Sequence, residues 1–230
     1  MEGHKPRCVF VTGGTGYLGR PLIARLLESG HAVRALVRPG SEGKLPAGST
    51  AVVGNALDAS SYAQRIQPAD TFVQLVGVSH PNPSKAAEFR NVDLVSATGA
   101  VRAAAEAGIR HFVYLSVAHP APIMKAYIEV RSQCEAMIRQ SGMSATILRP
   151  WYVLGPGHRW PCLLLPIYWL MEGFPKTRDG ARRLGLVTLD QMVHAIARAA
   201  ENPRSGVHIV EVPEIRVPGG FPATKVADIS

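Results

Sequence analysis

The sequence has few cysteines and no long apolar run, and both shortages restrict the class of protein. Its three cysteines, Cys8, Cys134 and Cys162, lie far apart in the 230 residues. They match neither a disulfide framework nor the spacing of a metal site, so we predict no metal and buried thiols in a reducing cytoplasm. No stretch reaches the roughly 20 apolar residues of a membrane-spanning helix. The apolar run 8–11 is also too short for a signal peptide.

Acidic residues are scarce as well. The chain has 17 Asp and Glu against 25 Lys and Arg, which gives a formal net charge of +8. A basic surface can attract nucleic acid, a membrane or an anionic small ligand. The cationic residues are scattered, without a basic stripe or an element that enters a groove, and this argues against nucleic acid as a partner. We therefore expect a solvated basic surface that favours a phosphate-bearing cofactor.

Short β-rich runs alternate with helical patterns along the chain. The predicted strands are 8–12, 32–37, 50–53, 71–76, 111–116, 145–148, 184–187 and 207–210, and the main predicted helices after the first are about 84–107, 124–140 and 189–200. A brief helix is predicted at 60–66. The alternation predicts an α/β Rossmann fold, a doubly wound parallel sheet with helices on both faces and a small C-terminal substrate lobe. With 47% hydrophobic residues, residues 1–230 are predicted to form a single domain.

A glycine-rich loop separates the first predicted strand from the first predicted helix. Gly13 permits a tight turn, Gly16 lets the backbone approach a pyrophosphate, and Gly19 allows the helix to pack close to the strand. The helix start adds free N–H groups and the positive end of the helix dipole. Placed after a first strand, this pattern predicts a dinucleotide site. Its predicted binding residues are Gly13, Thr15, Gly16, Tyr17, Leu18 and Gly19.

The end of the second predicted strand lacks an acidic residue. NAD-binding chains usually carry Asp or Glu there for the ribose hydroxyls, whereas this chain has Arg38 and no acid before Glu42. A guanidinium can form a bidentate pair with the 2′-phosphate of NADP, and Ser41 can add a hydroxyl. The sequence thus favours NADP(H) over NAD(H). The alternative is that Arg38 is an ordinary surface arginine.

Further short motifs follow the glycine loop in a characteristic order. They are Leu36-Val37-Arg38, Gly54-Asn55-Ala56-Leu57-Asp58, Leu75-Val76-Gly77, Tyr114-Leu115-Ser116 and Leu148-Arg149-Pro150. Together with the loop Thr12 to Gly19, they resemble the atypical and extended short-chain dehydrogenases/reductases. The similarity is greatest to the NmrA-like NAD(P)-binding branch and to the related nucleotide-binding accessory subunit of respiratory complex I. The resemblance covers nearly the whole chain and bears on fold and cofactor more than on reaction.

The resemblance implies further cofactor-binding residues. Asn55 and Ala56 are expected along the adenine. The groove beneath the pyrophosphate and ribose is expected to be lined by Leu75, Val76 and Gly77. The nicotinamide is expected near Pro150, Trp151 and Tyr152, at the carboxyl edge of the sheet. Asn91 resembles a helix asparagine that holds a structural water in the family, with a polar surface residue as the alternative.

Active members of the family use a serine, a tyrosine and a lysine four residues after that tyrosine. The tyrosine protonates the developing alkoxide, the lysine lowers its pKa, and the serine positions the carbonyl. The matching residues here are Ser116, Tyr127 and Arg131, with arginine where lysine is expected. Arginine keeps the positive charge of lysine, but its planar guanidinium directs its hydrogen bonds differently from an ammonium group.

In the alternative interpretation Tyr127 only covers a pocket, and Arg131 pairs with Glu135 on a solvated helix face. His80, His119 and His158 are alternative acids.

Residues 151–183 are predicted to form a substrate-side insertion. All three tryptophans, Trp151, Trp160 and Trp169, lie in it. A substrate site lined by these aromatic side chains predicts a small hydrophobic or aromatic substrate. A small helix packed on the sheet is one alternative, and a segment that makes peripheral membrane contact is another.

Two functions remain open from the sequence. The first is an NADP(H)-binding oxidoreductase that reduces an apolar carbonyl or quinone-like substrate. The second is a non-catalytic NADP(H)-binding redox sensor or assembly protein. The missing lysine and the non-enzymatic members of the family favour the second, whereas Ser116 and Tyr127 favour the first.

Overall fold

A computed structural model of the protein describes residues 5–121, 123–155 and 184–217. Its strands are β1 Cys8–Thr12, β2 Ala32–Val37, β3 Thr50–Val53, β4 Thr71–Gln74, β5 His111–Leu115, β6 Ser144–Arg149, β7 Tyr152–Leu154, β8 Leu186–Thr188 and β9 Val207–Glu211. Seven of them form a parallel sheet in the order β3-β2-β1-β4-β5-β6-β9. This arrangement confirms the predicted Rossmann fold.

Helices cover the sheet. They are α1 Gly19–Glu28, α2 Ala86–Glu88, α3 Val95–Glu106, α4 Lys125–Gln140, α5 Leu189–Glu201 and α6 Val212–Ile215. A π-helical turn, Phe89–Leu94, joins α2 to α3, so the predicted helix 84–107 is one helical run with a wide turn inside it. The predicted helix 60–66 is instead a pair of 3₁₀ turns, Ala59–Ser61 and Ala63–Arg65.

The apolar core has two layers because side chains alternate between the faces of each strand. On one face α1 and α5 pack against the sheet, with Leu22 and Ile196 fully buried between them. On the other face the rings of Phe72 and Phe112 stack with their centroids 5.2 Å apart beneath α3 and α4. Burying each such side chain contributes about 1.5–3 kcal/mol to folding.

Three details differ from the sequence-based expectations. Strand β4 ends at Gln74, and β7 forms an unexpected two-stranded parallel sheet with β8. The spacing of Val92, Val95 and Val101 predicts a helix that packs on the sheet through these residues, but Val95 is 43% exposed. The π-helical turn before it adds a residue per turn and so shifts the faces of the helix. Cys134 is buried and Cys8 half-buried, while Cys162 lies outside the described residues.

Within the described parts of the chain, every helix is too short or too polar to cross a membrane.

Close packing at Gly19 yields a test of the loop. A Cβ there would overlap the carbonyl oxygen of Gly13 and lie 2.8 Å from the Cα of Gly14. Because both obstacles are backbone, we expect Gly19→Ala to lower the free energy of unfolding in urea by about 3 kcal/mol. Gly43→Ala is the control, since no described atom lies within 4 Å of a Cβ at Gly43. Equal effects of the two substitutions would contradict the packing argument.

Candidate cofactor and active site

The parallel sheet brings the predicted cofactor residues to one edge. The glycine loop follows β1, Arg38 and Ser41 follow β2, Asn55 and Ala56 follow β3, Leu75, Val76 and Gly77 follow β4, and Pro150 and Trp151 follow β6. All of these positions lie at the carboxyl ends of their strands. Ligands of open parallel α/β sheets bind at this edge. The site residues therefore share one side of the molecule, as the sequence predicts.

The glycine loop has the shape of an anion cradle. Gly13 has φ of +72°, and its carbonyl accepts a 2.9 Å hydrogen bond from the N–H of Gly16. A Cβ at Gly16 would come within 3.1 Å of that same carbonyl oxygen. Leu18 precedes α1 without a side-chain capping bond, and the first turn of α1 holds no acidic residue. The positive end of the helix is thus open to an anion, and the loop fits a diphosphate.

A buried polar chain beneath the loop was not predicted from the sequence. The hydroxyl of Thr12 donates to Oε1 of Gln74 at 2.6 Å and accepts from the N–H of Leu75 at 3.3 Å. The Gln74 amide in turn donates to Ser96 Oγ at 3.3 Å. These bonds join the ends of β1 and β4 under the glycine loop. The only indication in the sequence was that the apolar runs of β1 and β4 each end in a polar residue, Thr12 and Gln74.

The residues expected near the adenosine lie in short turns. Arg38 is exposed, and its carbonyl accepts from the N–H of Ser41 at 3.0 Å. Asn55 is also exposed, and its Oδ1 accepts from the N–H of Leu57 at 3.0 Å. Arg38 is therefore accessible at the carboxyl edge of the sheet.

Arg131, predicted to stand in the position of the family's lysine, is buried. Its Nη2 lies 2.5 Å from Oδ1 of Asp93, and its Nη1 donates to the Leu115 carbonyl at 2.7 Å and to the Tyr114 hydroxyl at 3.1 Å. Only 4% of the residue is exposed. The alternative that Arg131 pairs with Glu135 on a solvated face is therefore wrong. Its partner comes from another helix, which the i,i+4 spacing cannot reveal.

The π-helical turn supplies the counter-charge for Arg131. Asp93 lies in this turn, and its Oδ2 also accepts from the N–H of Val78 at 3.0 Å. Gly77 faces the ion pair, because a Cβ there would lie 2.9 Å from Asp93 Oδ1 and overlap Nη2 of Arg131. Asn91, in the same turn, is exposed. Sequence reasoning missed Asp93, although an acid between the apolar residues Val92 and Leu94 was a usable signal.

Tyr127 lies against this ion pair. The Cζ of Arg131 is 5.0 Å from the centre of the Tyr127 ring, and the Phe89 ring is 4.8 Å away on centroids. Burial raises the pKa of Tyr127, although the charge of Arg131 opposes this rise. The phenol therefore stays protonated at neutral pH. We name Arg131, Asp93, Tyr114 and Tyr127 the Arg131 network.

Ser116 belongs to a second network. It is buried, and its hydroxyl donates to Oε1 of Glu135 at 2.6 Å. Arg149 forms a bidentate pair with the same carboxylate, with Nε at 2.9 Å and Nη2 at 2.5 Å, and His119 Nε2 lies 3.4 Å from Oε1. We name Glu135, Ser116, Arg149 and His119 the Glu135 network.

The charge state of Glu135 follows from these contacts. Burial favours a raised pKa, but the hydrogen bonds from Arg149 and Ser116 outweigh it and hold the pKa of Glu135 below its usual value. The side chain is therefore an anion at neutral pH. Glu135 lies one helical turn beyond Arg131 on α4, so a single buried helix face carries both networks.

The substrate side begins at β7. Trp151 and Tyr152 are half-buried, and the hydroxyl of Tyr17 lies against Gly155, where a Cβ would overlap it. The glycine loop thus contacts the start of the predicted insertion. His158, Trp160, Trp169 and most of the predicted aromatic lining fall outside the described residues.

Known proteins agree with this architecture. Residues 13–157, more than half of the chain, match the NAD(P)H-binding family. The chain belongs to this family. The resemblance to atypical short-chain dehydrogenases/reductases of the NmrA-like branch is thereby confirmed.

Individual relatives are distant. A photosystem II assembly factor of Synechocystis sp. is 28% identical over 144 residues, which are 61% of this chain and 43% of that protein. A ceramide reductase of Caulobacter vibrioides is 29% identical over 151 residues, which are 65% of this chain and 47% of that protein. The chain thus spans about half the length of these two relatives.

Among solved structures, the enzyme WbmH of Bordetella bronchiseptica in complex with NAD+ superimposes with a TM-score of 0.67. The match covers 91% of this chain and 79% of WbmH at 22% identity. At this identity the likeness shows a shared fold alone. The family match, by contrast, supports binding of a nicotinamide dinucleotide, without a distinction between NAD and NADP.

The buried ion pair can be tested by removing one charge. Asp93→Asn leaves the Arg131 guanidinium buried without a counter-charge, so we expect the free energy of unfolding in urea to fall by about 3–5 kcal/mol. The double variant Asp93→Leu/Arg131→Met removes both charges and should be clearly more stable than Asp93→Asn.

Arg102 and Glu106 form the matched control pair, because their side chains are 73% and 63% exposed and 3.4 Å apart. Glu106→Gln should change the free energy of unfolding by less than about 1 kcal/mol. A similar loss in Asp93→Asn and Glu106→Gln would show that the buried pair has no special role.

Proposed function

We propose that the protein binds NADP(H) across the carboxyl edge of the sheet and reduces an apolar carbonyl or quinone-like substrate. The main support is the Tyr127 phenol, protonated and stacked on a buried cation next to the cofactor groove. A bound nicotinamide cofactor supplies the hydride. The protein must bind it, orient the carbonyl and provide hydrogen-bond donors for the oxygen.

The cofactor choice rests on Arg38. Its accessible guanidinium lies at the position where NAD-binding chains have an acid, and the next hydroxyl, Ser41, follows in the same turn. A 2′-phosphate could form a bidentate interaction with the guanidinium there, whereas a carboxylate at the same position would repel it. The glycine loop and the start of α1 would hold the diphosphate. These features support NADP(H) over NAD(H).

Tyr127 suits reduction better than oxidation. As negative charge develops on the carbonyl oxygen, a protonated phenol stabilises it by donating a hydrogen bond. Oxidation would need the phenolate, which a raised pKa disfavours. An apolar substrate agrees with the half-buried Trp151 and Tyr152. The name of the Caulobacter relative, a ceramide reductase, points in the same direction.

A second candidate function is cofactor binding without turnover. Asp93 neutralises the Arg131 guanidinium, and the Ser116 hydroxyl donates its hydrogen to Glu135. Both side chains are therefore engaged with protein partners instead of facing a substrate. The relative that is a photosystem II assembly factor agrees with such a role. The protein would then act as a redox sensor or assembly factor through a partner.

Arg38 can be tested by thermal shift with NADPH and NADH. A hydrogen bond to a charged group contributes about 1.5–3 kcal/mol, so Arg38→Gln should weaken NADPH binding by about 10- to 100-fold and leave NADH binding unchanged. Arg110→Gln, at the opposite edge with a side chain 79% exposed, is the matched control. Equal losses for both cofactors would contradict phosphate recognition by Arg38.

Tyr127→Phe separates the two candidate functions. In a reductase we expect kcat with a panel of aromatic ketones and quinones to fall by about 10²–10⁴-fold, with NADPH affinity within about twofold of wild type. Tyr62→Phe is the control, because the Tyr62 hydroxyl is buried with no described hydrogen-bond partner. If the wild type binds NADPH but consumes none with any substrate of the panel, the non-catalytic function is correct.

A further inference from the structure

The Glu135 network contains a titratable group that the mechanism above does not use. We propose that His119, oriented by Glu135, donates the proton that carbonyl reduction consumes. This inference rests on the proposed reductase function. Reduction of a carbonyl requires one hydride and one proton, and the source of the proton is a separate question from the source of the hydride.

The Arg131 network is a poor proton source. Burial alone would lower the pKa of Arg131, but Tyr114, Tyr127 and Asp93 raise it well above its usual value. A guanidinium in this environment keeps its protons and cannot pass one on. The raised pKa of Tyr127 makes its phenol a good hydrogen-bond donor and a weak acid. Neither Arg131 nor Tyr127 therefore exchanges its proton readily near neutral pH.

His119 is held at the correct edge of the sheet. It follows β5 by four residues, and the N–H of its neighbour Ala118 donates to the Pro150 carbonyl at 2.9 Å. This bond keeps His119 next to the segment expected to contact the nicotinamide. Its side chain is 21% exposed, so the imidazole can exchange protons with solvent.

Glu135 fixes the orientation of the ring. His119 Nε2 faces Oε1 at 3.4 Å, which leaves Nδ1 on the other side of the ring for a substrate oxygen. The Glu135 side chain is only 2% exposed, and Arg149 keeps it ionised. A buried carboxylate that contacts one ring nitrogen holds the imidazole in place.

The charges around His119 are balanced. The charged residues nearby are Glu135 and Arg139 from α4, Arg149 from β6 and Glu211 from β9. Arg139 Nη1 lies 3.4 Å from the Glu135 carboxylate, and Arg149 Nη1 lies 3.7 Å from the Glu211 carboxylate. Two guanidinium groups thus face two carboxylates, and Ser116 contributes a neutral hydroxyl. The charged group in contact with the His119 ring is the Glu135 carboxylate.

The proton balance of the step is simple. Hydride from NADPH adds to the carbonyl carbon, and the π electron pair moves to the oxygen. That oxygen forms a bond to the Nδ1 proton as the N–H bond of His119 breaks, which leaves a neutral imidazole, an alcohol and NADP⁺. Solvent then returns a proton to His119.

The first test is the pH profile of kcat/KM for NADPH oxidation with a reducible ketone. In the wild type kcat/KM should fall as pH rises, since an acid is consumed. His119→Gln should lower kcat about 100-fold at pH 7 and abolish that dependence, whereas Tyr127→Phe should keep it. His194→Gln is the matched control, because His194 Nδ1 also faces a carboxylate, 3.2 Å from Asp190 on α5.

A second measurement does not depend on turnover. The proton NMR spectrum of the cofactor-free protein at acid pH should contain a downfield imidazole N–H resonance that is absent in His119→Gln and in Glu135→Gln, and present in His194→Gln. Normal activity and an unchanged pH profile in folded His119→Gln would overturn the proposal. A wild type that binds NADPH without turnover would contradict the reductase function instead, whatever the NMR spectrum shows.

Discussion

The buried pair of Arg131 and Asp93 connects most of the parts from which the candidate site is built. A charge in the interior is tolerated only with a counter-charge and further hydrogen bonds. Arg131 meets this requirement through Asp93 and through acceptors at the end of β5. The same requirement explains the π-helical turn that carries Asp93 and the glycine at position 77, where a side chain would collide with the pair.

The exchange of lysine for arginine therefore changes the chemistry of the site. A lysine could reach a ribose and exchange protons, whereas this guanidinium is held beneath Tyr127 by protein partners. Tyr127 remains a hydrogen-bond donor with a raised pKa. Proton supply then falls to a different group, and the Glu135 network provides one at the same sheet edge. Positive charge is retained where the family resemblance predicts a lysine, but here it is held by contacts within the protein.

The sequence predicted the fold well. Strand runs such as 8–12 and 32–37 match the structure, because local alternation and flanking glycines determine them. The alternative that Arg131 pairs with Glu135 was wrong, since i,i+4 spacing reports only neighbours on one helix. The Thr12–Gln74 bond and the contact between His119 and Glu135 were missed for a related reason. Each joins residues that are distant in the chain.

The sequence by itself determined that a glycine loop would lie between a strand and a helix, that the sheet would be parallel, and that Arg38 would replace an acid. These properties follow from local conformational preference and from the periodicity of apolar residues. Only the tertiary structure decided which charge Arg131 meets and which carboxylate holds Ser116 and His119. Such partners are chosen by the packing of α3 and α4 on the sheet, because buried charges must find counter-charges wherever the fold places them.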